Sequence, residues 1–337
     1  MRYGRLPSLA VALWLCVALD ALSQTLPADG DLLIHYEEFH DFGFSFGKMQ
    51  ILSSTGIVKR TVGAGTSVRD ILAAPSHKLY VASAAFSGIA VYSSELDFIG
   101  SFPTDSPMHF LAMDADGILY AGAADGHVVR YRENGSVVDS FTVAVDSPNK
   151  VLAGDLAPDQ CTLYYLQADS NSRVRKYDVC HRRQLPDLGA ATVLFIGVPF
   201  SGVALRVAND DAVFVAGGSS VYRFSKDGVR TYPLAGSVIV APTAEGRSFW
   251  TASFDPSETS TRQLTRRGVE TGVRLSGPIG PHEFTDSSIE IVGTYRASIA
   301  AGLAAIPATS NALLVALVGA LLSVAMFTLR QGHGRKG

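Results

Sequence analysis

Phe110-Leu111-Ala112-Met113, the turn Asp114-Ala115-Asp116-Gly117, and then Leu119-Tyr120-Ala121-Gly122 together decide the fold. Two short apolar runs flank an acidic, glycine-ended turn, which reads as a β-hairpin. A third run, His127-Val128-Val129-Arg130-Tyr131, follows after a polar break. The turn Glu133-Asn134-Gly135 then leads into a fourth, more polar segment. This is a unit of four strands, and the unit recurs.

The second strand is the easiest to trace. It appears as Leu32-Leu33-Ile34-His35, Leu79-Tyr80-Val81-Ala82, Leu119-Tyr120-Ala121-Gly122, Leu163-Tyr164-Tyr165-Leu166, Val213-Phe214-Val215-Ala216 and Phe249-Trp250-Thr251-Ala252. The spacings are 47, 40, 44, 50 and 36 residues. The third strand returns as Gly88-Ile89-Ala90-Val91-Tyr92, Arg173-Val174-Arg175-Lys176-Tyr177 and Ser220-Val221-Tyr222-Arg223-Phe224. Four short antiparallel strands at that period predict an all-β chain, a β-propeller of six blades over residues 30–296. A blade has two apolar faces and cannot bury both alone, so blades stack around a ring. A β-sandwich shares the strand spacing but not the repeated strand order. The segment 282–295 has strand character without a full unit, and it is expected to close the ring by completing the first blade.

The termini differ in kind. Arg2 and Arg5 precede the apolar run Leu9 to Leu19, and Ala21-Leu22-Ser23 supplies small residues, so residues 1–23 predict a signal peptide cut before Gln24. Residues 312–329 contain no charge over eighteen residues, enough for a transmembrane helix of about 27 Å. Arg330, Arg335 and Lys336 follow in the tail 330–337 and are expected to stay in the cytoplasm. Both ends therefore predict export, with the body periplasmic or at the cell surface. Only 18% of residues are charged and the net charge is −3, which gives no electrostatic case for nucleic acid.

Three site readings follow from the repeat. Arg69, His109 and Lys150 each stand just ahead of a first strand. In register they would ring one mouth of the central tunnel and favour an anionic ligand. The alternative is that they are solvated loop residues paired with Asp70 and Asp155. Cys161 and Cys180 flank the polar stretch 168–172, and a hairpin turning at its middle sets them directly opposite, so an oxidising compartment would join them in a disulfide. The alternative there is two buried thiols. No Gly-x-Ser-x-Gly elbow is present, and no catalytic residue, metal site or cofactor is assigned.

The repeat resembles NHL-type and gluconolactonase-like six-bladed propellers. The resemblance is closest across 150–187, where Asp155 to Tyr165, with Arg175 to Cys180 behind it, looks like a blade common in secreted bacterial propellers. It implies two functions of different classes. One is an envelope scaffold that binds a protein, peptide or glycan. The other is a metal-dependent, lactonase-like hydrolase holding one Ca²⁺ on oxygen ligands. Glu38, Asn149, Asn209 and Asp255 have suitable chemistry for the second but match no motif of the family. Ile306-Pro307-Ala308-Thr309-Ser310, within the expected linker 297–311 just before the apolar helix, resembles the IPTL-type and PEP-type sorting signals of Gram-negative bacteria. That resemblance implies an exosortase-like protease as a partner.

Overall fold

The computed structural model describes residues 30–39, 45–64, 67–83, 87–146, 151–167, 172–190, 203–217, 220–234, 239–243, 246–254, 262–271, 274–279 and 288–291. The expected signal peptide, the Ile306-Pro307 motif and the apolar segment 312–329 lie outside them. Among the described residues no helix is long and apolar enough to cross a membrane.

Among the described residues, twenty-four strands form six four-stranded antiparallel sheets. Blade 1 contains β1 (Leu32–Phe39), β2 (Ser45–Leu52) and β3 (Val58–Ala64). Blade 2 contains β4 (Val68–Ala73), β5 (Leu79–Ser83), β6 (Gly88–Tyr92) and β7 (Phe98–Pro103). Blade 3 contains β8 (Met108–Met113), β9 (Leu119–Ala123), β10 (His127–Tyr131) and β11 (Val137–Thr142). Blade 4 contains β12 (Val151–Leu156), β13 (Thr162–Gln167), β14 (Arg173–Asp178) and β15 (Arg183–Ala190). Blade 5 contains β16 (Ala204–Val207), β17 (Val213–Gly217), β18 (Ser220–Ser225) and β19 (Gly228–Pro233). Blade 6 contains β20 (Ile239–Pro242), β21 (Ser248–Phe254), β22 (Arg262–Gly268) and β23 (Arg274–Ile279). The last strand, β24 (Ser288–Ile291), is the innermost strand of blade 1, where Leu32 pairs with Ile291 and His35 with Ser288. The closing segment inferred from the sequence thus does close the ring.

The innermost strands β4, β8, β12, β16, β20 and β24 contact one another in that order, and β24 returns to β4. They surround the central tunnel. Each of the six seams between blades has its own apolar core. Leu33, Met49 and Ile51 of blade 1 pack on Val68, Ile71 and Val81 of blade 2. At the closing seam, Leu32, Ile34 and Leu52 of blade 1 pack on Ile239, Trp250 and Leu264 of blade 6. The second strands are sandwiched between neighbours, so β5, β9 and β17 are buried along their whole length. Fully burying an aromatic such as Tyr80, Tyr120, Phe214 or Phe249 stabilises the ring by about 2–3 kcal/mol each. The fourth strands have one seam on the outside of the ring, and β7 and β11 alternate exposed and half-buried residues accordingly.

The turn from first to second strand is repeated in hydrogen bonding as well as in sequence. His77, Gly117, Gln160, Asp211 and Gly246 each donate a backbone N–H to the carbonyl three residues earlier. All five have positive φ, between 61° and 76°. Aspartates support the turns: Asp114 Oδ1 accepts from the N–H groups of Asp116 and Ile118, at 3.0 and 2.9 Å. These turns define one face of the ring, here the turn face. The innermost strands begin at the opposite, inlet face.

One packing demand was not visible in the repeat. The Phe110 ring is 1% exposed and is gripped by two glycines. A Cβ on Gly122 would lie 1.9 Å from its Cε1, and one on Gly154 would lie 2.9 Å from its Cδ2. Only hydrogen side chains leave room for the ring at this seam.

Candidate binding site at the tunnel mouth

An innermost strand bonds to a neighbour on one side only. Its other edge points N–H and C=O groups toward the tunnel, and buried backbone groups need partners. Among the described residues, three side chains supply some of them. Asp70 in β4 accepts from its own neighbour's N–H, Ile71, at 3.0 Å, and from Leu111 N–H of blade 3 at 2.8 Å. Asp155 in β12 repeats the device two seams further on, accepting from Leu156 N–H and from Val207 N–H of blade 5, both at 2.8 Å. Arg206 in β16 donates to the Leu205 carbonyl at 3.1 Å and, across the ring, to the Ile71 carbonyl at 3.4 Å and Asp70 Oδ1 at 2.5 Å.

Blades 2 and 5 are opposite each other, so Arg206 bridges the tunnel. The pair is almost fully covered, with side-chain exposures of 11% and 6%. Burial pushes the Asp70 carboxyl above its ordinary value. Arg206 and the Leu111 N–H pull it back, and nearby Asp155 pushes it up further. These acids look like candidates for general acid or metal chemistry. Their oxygens are instead engaged by backbone N–H groups and a guanidinium.

Above this bridge, toward the inlet, β4 and β8 carry matching irregularities. The pairing of β4 with β5 slips between Val68 and Asp70, and that of β8 with β9 between Met108 and Phe110. The residues in the slips are Arg69 and His109. The sequence reading set them ahead of the first strands. The strands in fact begin earlier, at Val68 and Met108, and both residues are inside them, at a bulge that admits one extra residue on the inner strand. The same slip occurs in β12 between Val151 and Ala153, where the extra residue is Leu152. Lys150 lies outside the described residues.

Arg69 and His109 are half-buried neighbours. Burial, and secondly the charge of Arg69, lower the His109 pKa to about 4. The imidazole is therefore neutral at pH 7, while Arg69 keeps its charge. The two inner strands thus set one cation beside one neutral ring that donates or accepts a hydrogen bond. The aspartates that the sequence offered as partners for the cations have the duties given above, which sequence reasoning missed. The only hint was that Asp70 and Asp155 both sit within apolar runs.

The disulfide is present between Cys161 and Cys180, with Cα atoms 5.2 Å apart. The expected direct opposition is off by one residue. β13 and β14 pair Thr162 with Asp178, so Cys161 faces Val179, whose N–H donates to the Cys161 carbonyl at 2.8 Å. Cys180 sits one residue beyond, in the turn after β14. Of the oxygen ligands considered for Ca²⁺, Asn209 is in the turn after β16 on the turn face. Asn149, Asp255 and the Glu38 side chain lie outside what is described. Among the described residues no group of three or more His, Cys, Asp or Glu side chains is placed to hold a metal ion.

No protein-family model and no curated protein matches the sequence. Solved structures do share the fold. A chain from the crystal structure of a nidogen/laminin complex superimposes with a TM-score of 0.56 at 10% identity, over 77% of this chain and 97% of that one. A protein of unknown function from Bacteroides caccae gives 0.55 at 10% identity, over 79% and 100%. At this identity the likeness is one of architecture: the chain is an all-β, six-bladed propeller.

Proposed function

We propose that this propeller is an exported, membrane-tethered binding scaffold that engages an anionic group of its partner at the inlet mouth. Arg69 supplies the charge and His109 a neutral hydrogen-bonding ring beside it; Lys150, which precedes β12 in the sequence, is offered as a second cation. The observation that carries the reading is the shared bulge: β4 and β8 each spend an irregular residue at the same level, and both residues are polar. Bulges of this kind re-aim side chains at functional edges. Deeper in the tunnel, Asp70, Asp155 and Arg206 are engaged with backbone groups of β4, β8, β12 and β16, and Arg206 also with Asp70. One structure of similar fold is that of a protein–protein complex, nidogen with laminin, which is in keeping with a scaffold role. The tether is read from residues 312–329 and the exported body from residues 1–23.

The test is a thermal-shift screen of the full chain against carboxylate and phosphate compounds, including hexuronates and acidic peptides. At least one anion is expected to raise the melting temperature of the wild type and to lose that effect in Arg69→Ala. A screen in which no anion separates the two proteins overturns the site. Tethering is tested separately by alkaline extraction of membranes: recovery of the intact chain in the soluble fraction overturns it.

A further inference from the structure

We propose that the Cys161–Cys180 disulfide is a redox-sensitive lock on the seam between blades 3 and 4. By position it belongs to blade 4 alone. It joins the turn between β12 and β13 to the turn between β14 and β15, both on the turn face. Its effect reaches further because of the residues that flank it.

Gln160 immediately precedes Cys161 and has a φ of 62°. Its Oε1 accepts the Ala115 N–H of blade 3 at 2.8 Å, while its Nε2 donates to the Ala157 and Pro158 carbonyls at 3.3 and 3.2 Å. Arg182 stands two residues after Cys180 and has a φ of 55°. Its Nη2 donates to Asp139 Oδ2 of blade 3 at 2.5 Å, and its guanidinium lies 4.8 Å from the centre of the Phe141 ring. Asp139 is also held by Arg130 Nε and Nη2 at 2.7 and 2.8 Å. Phe141 in turn stacks on Tyr177 of blade 4, with centroids 4.9 Å apart and planes 6° from parallel. One residue on each arm of the disulfide therefore crosses to blade 3.

Both crossing residues are in the left-handed region, which costs a non-glycine residue roughly 1–2 kcal/mol. Each turn has local support. Asp159 Oδ1 accepts from the Cys161 and Thr162 N–H groups, and Asp178 Oδ1 from the His181 N–H. Those bonds shape each turn separately. Between the turns, the Val179 N–H bond to the Cys161 carbonyl is reinforced by the covalent bond, which tightens the span between the Ala115 and Asp139 contacts. Reduction takes two electrons and two protons from a dithiol, which itself becomes a disulfide. The S–S bond breaks, two thiols form, and that span is left to the backbone pairing of β13 with β14 and the Val179–Cys161 bond alone. In a reducing compartment the seam is unlocked; after oxidation it is fastened.

Hydrogen exchange of the full chain, oxidised and after dithiothreitol treatment, tests this. Reduction is expected to speed exchange about tenfold in peptides covering 114–118 and 137–142 of blade 3, with 239–254 of blade 6 unchanged. The Cys161→Ser/Cys180→Ser chain should behave as the reduced protein. Arg182→Met with the disulfide intact should loosen 137–142 and leave 114–118 protected. Acceleration confined to 157–183, or spread evenly over all blades, overturns the lock. Should the serine chain fail to fold, reduction of the folded wild type decides.

Discussion

Arg206 of blade 5 donates a hydrogen bond of 2.5 Å to Asp70 of blade 2, 136 residues earlier in the chain and on the far side of the ring. Removing one partner of a buried ion pair leaves a bare charge, which costs roughly 3–5 kcal/mol, while removing both costs far less than the sum. Asp70→Asn and Arg206→Met are each expected to destabilise the ring by about 3 kcal/mol in chemical denaturation, with the double variant at least ~1 kcal/mol better than additive. Additive losses would mean that the two groups act only through their backbone contacts.

His109 gives the ring a pH dependence in the mildly acidic range. Its folded pKa is about 4, below the ordinary value of 6.5. As pH falls, the unfolded chain takes up the proton first, so stability is intact above pH 6.5 and declines toward pH 4. The decline due to this group is on the order of 2–3 kcal/mol. His109→Gln should flatten the wild-type curve between those limits. Parallel curves for the two proteins would show that the ring is protonated without penalty.

Gly122→Ala should be among the worst single methyl additions in the molecule, because the new carbon meets Phe110 at 1.9 Å. Overpacking of this kind costs about 1–3 kcal/mol. Phe110→Val destabilises the wild type, yet in the Gly122→Ala background it should recover part of the loss. A melting temperature for Gly122→Ala equal to that of the wild type would contradict the packing of blades 3 and 4.

Chain length tests the closure. A chain ending at residue 296 keeps β24 and should melt as the full chain does. A chain ending at 287 removes the inner strand of blade 1 and uncovers the cores it shares with blades 2 and 6. Its melting should broaden and fall by well over 10 °C, since about 1 kcal/mol shifts a chain of this size by roughly 2–4 °C. Equal melting of the two truncations would show that blade 1 stands without β24.

The ring was legible in the sequence because every blade repeats the same apolar second strand, and blades 2 to 6 repeat the same turn before it. Leu79 and Leu119 begin strands at the positions their spacing implied. The disulfide was legible too, since two cysteines flank one hairpin. Its register was not: taking the midpoint of 161 and 180 assumes an even turn, whereas β14 stops at Asp178 and Cys180 belongs to the next turn. The innermost strands were half legible. Repeat position picked out Arg69 and His109, but a bulge leaves no mark in apolar alternation. The Asp70–Arg206 bridge was wholly hidden, because only ring geometry brings blades 2 and 5 face to face.

The pairing of Leu32 with Ile291 has a mechanical meaning. In that antiparallel pair the chain enters β1 and leaves β24 at the same end. A pull that separates residue 31 from residue 292 would load the rungs between the two strands one after another, as a zipper opens, rather than all together in shear. The join of the ring is therefore its weakest point under tension, and under such a pull blade 1 would part before any other blade yields.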